Sequence, residues 1–160
     1  MDKNKNNTKG IKKYMDIQVH TKLKIMKPAH EVFNAFIEPE QMANFWFSAG
    51  SGKLEQGKTF TWRYEEYNAE VEVTVVEIQE NKKIVFKWGP SGEEHTVTIM
   101  FNELDDTKTI IEVNEKGWNE NDEELISQLL NNKEGWVYML TCLKGYLENG
   151  ISNLRAAIVH

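Results

Sequence analysis

The sequence has few of the features that would place the protein outside a reducing compartment, on a nucleic acid or in a membrane. Its 160 residues include one cysteine, so no disulfide can form within the chain, and we expect a cytoplasmic location. The first residues are rich in Lys and Asn and lack the apolar stretch of a secretory signal. The net charge of −6 argues against binding to nucleic acid or to anionic lipid. No apolar run approaches the roughly 18 residues of a membrane-spanning helix.

Motifs of nucleotide, metal and nucleophilic sites are also missing. Segment 50–53, Gly-Ser-Gly-Lys, lacks the upstream glycine and the following Ser or Thr of a phosphate-binding loop. The histidines share no ligand spacing with one another or with Cys142, so the sequence indicates no metal site and no cofactor. Cys142 lies among leucines in a helical pattern, which is more typical of a core residue than of a nucleophile.

What the chain does have is enough apolar material for one core. Apolar residues make up 40% of the sequence, and they include five Trp, seven Phe and five Tyr. For a chain of this length we expect a single domain, over residues 16–160. Residues 1–15 offer little to bury, and we expect them to form a flexible tail.

The longest periodic stretch lies in the last forty residues. Apolar residues recur there at intervals of three and four, with polar residues between them, which predicts a long amphipathic helix with Asp122 as its N-cap. The apolar positions are Ile126, Leu129, Leu130, Trp136, Leu140, Leu143, Leu147, Ile151 and Leu154.

Strand-like runs precede this helix. Residues 17–25 alternate between apolar and polar side chains, which predicts a half-buried strand. Pro28 and Pro39 then favour the starts of two short helices, and segment 48–52 is typical of a turn. Five further alternating runs follow between residues 59 and 113, separated by short turns, which predicts an antiparallel meander. The doublet Val75-Val76 indicates a β-bulge.

This order of elements predicts an α+β fold in which a curved antiparallel sheet wraps around the long C-terminal helix. Several segments carry a further likeness: Pro28 to Phe36, Pro39 to Trp46, Ile84 to Trp88, and Gly135-Trp136 with the leucines that follow. On these segments the chain, over about residues 16–152, resembles the START-like (SRPBCC, Bet v 1-like) superfamily, also called the helix-grip fold. Within it, the chain is most similar to the branch of the activator of heat-shock protein 90 ATPase homologue.

The resemblance implies a cavity between the sheet and the helix that often holds a small apolar molecule. We therefore expect an apolar or amphipathic small-molecule ligand and no nucleic acid or membrane partner. An interaction with a chaperone is an alternative. The eukaryotic co-chaperones of the branch carry an N-terminal docking module, which has no counterpart in these 160 residues.

Aromatic residues at inward-facing positions, together with His95 and Leu140, are the candidate ligand-binding residues, because apolar pockets with a few polar groups are the usual ligand sites. The alternative is that these rings simply fill the core. The candidates are Phe36, Trp46, Trp62, Tyr64, Phe86, Trp88, His95, Trp136 and Leu140.

His95 is the weak candidate for catalysis. It shares its parity with the core positions of its strand, and an imidazole suits proton transfer near neutral pH. A cyclase, dehydratase or hydrolase that uses His95, Tyr64 or a nearby glutamate is therefore a second functional alternative. The simpler interpretation is a histidine at the end of a strand, hydrogen-bonded to the backbone or partly exposed.

Overall fold

A computed structural model of the protein describes residues 16–159. The predicted tail, residues 1–15, lies outside this range. The strands are β1 (Gln18–Ile25), β2 (Ala49–Gly50), β3 (Thr59–Tyr64), β4 (Ala69–Gln79), β5 (Lys83–Trp88), β6 (His95–Asp105) and β7 (Lys108–Lys116). The helices are α1 (Ala29–Ile37), α2 (Pro39–Met42) and α3 (Leu125–Asn149), with a 3₁₀ turn at Glu65–Tyr67.

The seven strands form one antiparallel sheet in the order β1-β7-β6-β5-β4-β3-β2. Strands β3 to β7 form a meander, as predicted. Each connection is short, so each strand pairs with the strand before it in the chain. The predicted bulge is confirmed: the register of β4 against β5 shifts between Val75 and Glu77. A bulge bends a strand and raises its twist, which helps the sheet to curve.

Helix α3 lies along the open edge of the sheet beside β1. Lys144 donates from Nζ to the backbone oxygen of Lys24 at 2.9 Å, and Glu148 accepts from the backbone N–H of Met26 at 3.1 Å. Lys133 makes a similar bond to the backbone oxygen of His20. The curved sheet around one long helix confirms the predicted helix-grip fold.

The core lies between α3, α1 and the concave face of the sheet. Phe33 and Phe36 of α1 both meet Phe101 of β6 edge to face, with ring centroids 5.5 and 5.7 Å apart. From α3, Leu140 and Leu143 enter the core with at most 1% of their surface exposed. Alternating apolar side chains thus face inward, as the period of two in each strand requires.

Two local predictions were wrong. The segment predicted as a turn at 48–52 contains β2, a two-residue strand that pairs with Arg63 and Trp62 of β3. Helix α3 begins after Glu124 rather than Asp122 and ends at Asn149, so Ile151 and Leu154 lie beyond it. Ile126 and Leu130 are 73% and 66% exposed, so they lie on the outer face of the helix.

Candidate functional site

A cavity of about 370 Å³ lies between α3 and the concave face of the sheet. Its walls come from the loop after α2, from β3 and the 3₁₀ turn that follows it, from β5, from α3, and from the segment that follows α3. They are Phe45, Trp46, Tyr64, Tyr67, Trp88, Asn131, Asn132, Gly135, Trp136, Tyr138, Met139, Arg155 and Ile158. Most of these side chains are aromatic or aliphatic, and they leave the space between them unfilled.

Three tryptophans from three elements meet at the inner wall. Trp88 and Trp136 stack at a centroid distance of 5.4 Å and an interplanar angle of 25°. Trp46 lies 5.4 Å from Trp136 and 6.1 Å from Trp88. Rings at these separations attract one another beyond their simple burial, so the wall is rigid as well as apolar.

Glu115 anchors this wall from behind. It is the last inward-facing residue of β7 and is fully buried. Its Oε1 accepts from Trp136 Nε1 at 2.8 Å and from Asn132 Nδ2 at 2.9 Å. Its Oε2 accepts from His95 Nδ1 at 2.8 Å and from Trp88 Nε1 at 3.1 Å. A buried carboxylate is costly unless its oxygens are satisfied, and here four side chains satisfy them.

The bond to Glu115 also fixes the amide of Asn132. A carboxylate oxygen only accepts, so the amide nitrogen must face Glu115 and the amide oxygen must face elsewhere. Within residues 16–159 that oxygen has no hydrogen-bond partner, and Asn132 lines the cavity. A residue that lines the cavity thus keeps an amide oxygen that can accept a hydrogen bond.

At the outer side, Arg155 is already paired. Its Nη2 donates to Glu66 Oε1 at 3.1 Å, its Nη1 donates to the other oxygen, and its Nε donates to the backbone oxygen of Trp46 at 2.7 Å. Hydrogen bonding from Arg155 lowers the pKa of the Glu66 carboxyl. Burial raises the pKa of Tyr64 to about 12, although the charge of Arg155 works against this, so the hydroxyl stays a donor at neutral pH.

The structure places four of the nine candidate ligand-binding residues, Trp46, Tyr64, Trp88 and Trp136, on the cavity wall. Four others, Phe36, Trp62, Phe86 and Leu140, lie in the packed core with at most 2% of their surface exposed. These four residues fill the core, which is the alternative interpretation given for the aromatic positions.

His95 lies behind the wall instead of on it. Its Nδ1 donates to Glu115 Oε2, and its side chain is 22% exposed. Its ring centroid lies 4.4 Å from that of Trp118. Gly117 permits this packing: its φ is +111°, and a Cβ there would lie 3.0 Å from the Cα of His95. The imidazole thus acts in this structure as a donor to the buried carboxylate.

Several residues of the site were not among the candidates, and they include Glu115, Asn132 and Arg155. Glu115 continues the inward parity of Ile111 and Val113, so extending that strand by two residues would have found it. Asn132 had no comparable signal. No sequence pattern indicated Arg155 either, because its role depends on the path of the segment after α3.

A second hollow, of about 750 Å³, lies near the β4–β5 hairpin, where charged and amide side chains dominate its wall. Within residues 16–159, no three His, Cys, Asp or Glu side chains are grouped so that they could hold a metal ion. In the same part of the chain, no helix is long and apolar enough to cross a membrane. The aromatic cavity is the better candidate for a ligand site.

Solved structures resemble this chain in fold, and the first of those given below is also similar to it in sequence. The crystal structure of protein SSP2350 from Staphylococcus saprophyticus is 43% identical, with a TM-score of 0.74, covering 85% of this chain and 95% of that one. The Aha1 dimer from Colwellia psychrerythraea is 15% identical, with a TM-score of 0.73 and coverages of 84% and 98%. PFC0360w, an HSP90 activator from Plasmodium falciparum, is 19% identical, with a TM-score of 0.66 and coverages of 82% and 96%.

No curated protein matches the sequence at a significant level. A family model does: the model described as activator of Hsp90 ATPase homolog 1-like protein matches residues 27–148, which include α1, the meander and most of α3. That range covers well over half of the chain and confirms the resemblance read from the sequence. The chain therefore belongs to the family of activator of Hsp90 ATPase homolog 1-like proteins, within the START-like superfamily.

Proposed function

We propose that this protein binds an apolar or amphipathic small molecule in the cavity between the sheet and α3. The observation that carries the proposal is the unfilled space of about 370 Å³ next to Trp46, Trp88 and Trp136. Its volume falls in the range of roughly 300–1,000 Å³ that is usual for small-molecule sites. A core that served packing alone would be expected to close such a space, because interiors pack with few voids larger than a water molecule.

The polar groups at the cavity favour a neutral ligand. Arg155 is held by Glu66, so its charge is already compensated, and an anionic head group would have to displace that pair. Asn132 presents an acceptor oxygen on the wall. A ligand with an aromatic or aliphatic body and one N–H or O–H donor matches these groups best.

N-phenyl-1-naphthylamine is a suitable probe because it is neutral and apolar and carries one N–H donor. We expect saturable binding with one site per chain, detected as probe fluorescence and as quenching of tryptophan emission by energy transfer from the cavity tryptophans. Gly135→Leu should weaken the affinity by about tenfold or more, because no atom lies within 4 Å of a Cβ at Gly135 and the side chain would occupy the cavity.

Glu134→Leu is the matched control: it adds a leucine at the neighbouring, exposed position of the same helix. It should bind the probe like the wild type. Equal affinities for all three proteins, or no saturable binding by the wild type, would contradict the proposal.

The alternatives have less support. An acid–base enzyme would need a free titratable group at the cavity: His95 is engaged by Glu115 behind the wall, and Tyr64, on the wall, donates its hydroxyl to the backbone oxygen of Arg155 and has its pKa raised by burial to about 12. A chaperone interaction is favoured by one observation, the family itself, together with a relative described as an HSP90 activator. A pull-down with purified Hsp90 that recovered no complex would remove that candidate.

A further inference from the structure

Residues 150–159, here called the strap, follow α3 and cross the outer side of the cavity. Gly150 ends the helix in a left-handed conformation with a φ of +67°. Its N–H donates to the oxygen of Tyr146 at 2.9 Å, and the N–H of Ile151 donates to the oxygen of Gly145 at 3.2 Å. This C-cap turns the chain off the helix axis, and the strap then contributes Arg155 and Ile158 to the cavity wall.

Three tyrosines from three elements hold the backbone of the strap. The hydroxyl of Tyr138 donates to the oxygen of Leu154 at 2.5 Å, and that of Tyr64 donates to the oxygen of Arg155 at 2.5 Å. Tyr67 donates to the oxygen of Ile158 at 3.0 Å. The strap is therefore fixed to both sides of the cavity, α3 on one side and β3 with its 3₁₀ turn on the other.

Arg155 makes the strongest attachment. Its guanidinium forms two hydrogen bonds with Glu66 and a third with the backbone oxygen of Trp46. The guanidinium carbon lies 4.8 Å from the centre of the Tyr64 ring, and the side chain is 10% exposed. Bidentate pairs of this kind fix geometry as well as adding energy.

The strap itself buries little. None of the side chains from 151 to 159 is classed with the core, so hydrogen bonds and one ion pair hold the segment in place. Segments with few buried apolar contacts open at a lower free energy than the packed core does. Opening of the strap should therefore cost less free energy than unfolding of the sheet or of α3.

We propose that the strap is a cover that opens to admit the ligand, and that the ion pair of Arg155 with Glu66 is its latch. The role toward a ligand rests on the proposed function; the opening itself does not. The accessibility of the Cys142 thiol reports on the opening. Tyr138, Cys142 and Gly145 share one face of α3, and the strap covers that face. A Cβ at Gly145 would lie 3.5 Å from Leu154, and Cys142, the one cysteine of the sequence, is 2% exposed.

The test is the rate at which 5,5′-dithiobis(2-nitrobenzoic acid) modifies Cys142 in the folded protein. Arg155→Gln should react about three to ten times faster than the wild type, since it removes the ion pair that keeps the cover closed. Burial raises the pKa of the Cys142 thiol, and the positive charge of Arg155 works against that rise. Loss of this charge should therefore slow the labelling, since it disfavours the thiolate and since a neutral side chain no longer attracts the anionic reagent. Faster labelling therefore cannot come from the change in charge.

Glu66→Gln breaks the same latch from its exposed side and should also speed the labelling, which keeps the test valid if Arg155→Gln folds poorly. Arg63→Gln is the matched control, because it breaks an exposed pair with Glu70 at 2.6 Å on the outer face of β3. It should label at the wild-type rate. Unchanged rates in both latch variants, or equal acceleration by Arg63→Gln, would overturn the proposal.

Stopped-flow binding of N-phenyl-1-naphthylamine separates the cover from the ligand site. With the latch broken, the association and dissociation rate constants should both rise by a similar factor. Faster Cys142 labelling with unchanged probe kinetics would refute the cover as the gate of the cavity. Absence of probe binding in every protein would refute the ligand site, and the labelling rates would still decide whether the strap opens.

Discussion

Glu115 is the residue on which the inner wall of the cavity depends. Its two oxygens bring together side chains from β5, β6 and α3, and three of those side chains, Trp88, Asn132 and Trp136, line the cavity. Each of the four donors would be left without an acceptor if the carboxylate were lost. Unmet buried donors cost more than the net gain of an ordinary hydrogen bond, so the network behaves as a unit.

We expect Glu115→Gln to lower the free energy of unfolding by about 2–3 kcal/mol. The substituted amide has one acceptor oxygen, and its NH₂ group would face two donors that it cannot satisfy. Urea denaturation followed by tryptophan fluorescence measures the change. Glu112→Gln is the control on the outer face of the same strand, where the contact of the carboxylate with His20 contributes less than about 1 kcal/mol. Equal losses in the two variants would contradict the anchoring role.

Much of this network lay beyond sequence reasoning. The parity of β7 points Glu115 inward, and the aromatic excess predicts tryptophans at a ligand site. The pairing of Glu115 with Asn132 and Trp136 depends on where α3 crosses the sheet, 17 and 21 residues later in the chain. No local sequence pattern shows that these residues meet in the folded chain.

At the scale of elements, regular structure could be predicted where one periodicity ran without interruption. Strand β1, the start of α1 after Pro28 and the bulge after Val75 all follow local rules of alternation, helix initiation and register. The end of α3 was misjudged because Ile151 and Leu154 continue the apolar spacing. Those residues serve the strap, where Leu154 packs back towards Gly145.

The latch of the strap has a pH dependence that stability measurements can detect. The pKa of Glu66 is lowered below its ordinary value of 4.5, first by hydrogen bonding to Arg155. A carboxyl group with a lowered folded-state pKa stabilises the protein above its unfolded pKa, and that contribution is lost as the pH falls through the folded pKa. Arg155 is the charged group that faces Glu66 from the strap.

We therefore expect Glu66→Gln to cost less than about 1 kcal/mol at pH 7, because the carboxyl is 38% exposed and screened by solvent. The difference from the wild type should shrink as the pH falls below 4.5, where the wild-type carboxyl also loses its charge. Urea denaturation of both proteins across this pH range provides the comparison. A difference that stayed constant or grew towards low pH would show that the charge of Glu66 is not what stabilises the strap.

For the molecule as a whole, the aromatic residues divide into two groups. Phe36, Trp62 and Phe86 fill the core beneath the sheet, whereas Trp46, Trp88 and Trp136 stop short of closing the space beside α3. The sequence predicts that these rings face inward, from parity on the strands and from the apolar faces of the helices. It cannot predict which of them border a cavity, because that depends on the curvature of the sheet and on the distance to the helix.

The most direct measurement is an experimental structure of the protein with N-phenyl-1-naphthylamine. We expect the probe between Trp136 and the opposite wall, with its N–H directed at the amide oxygen of Asn132 and with the strap closed over it. A cavity filled by rearranged side chains, or a probe bound only outside the space between α3 and the sheet, would contradict the account.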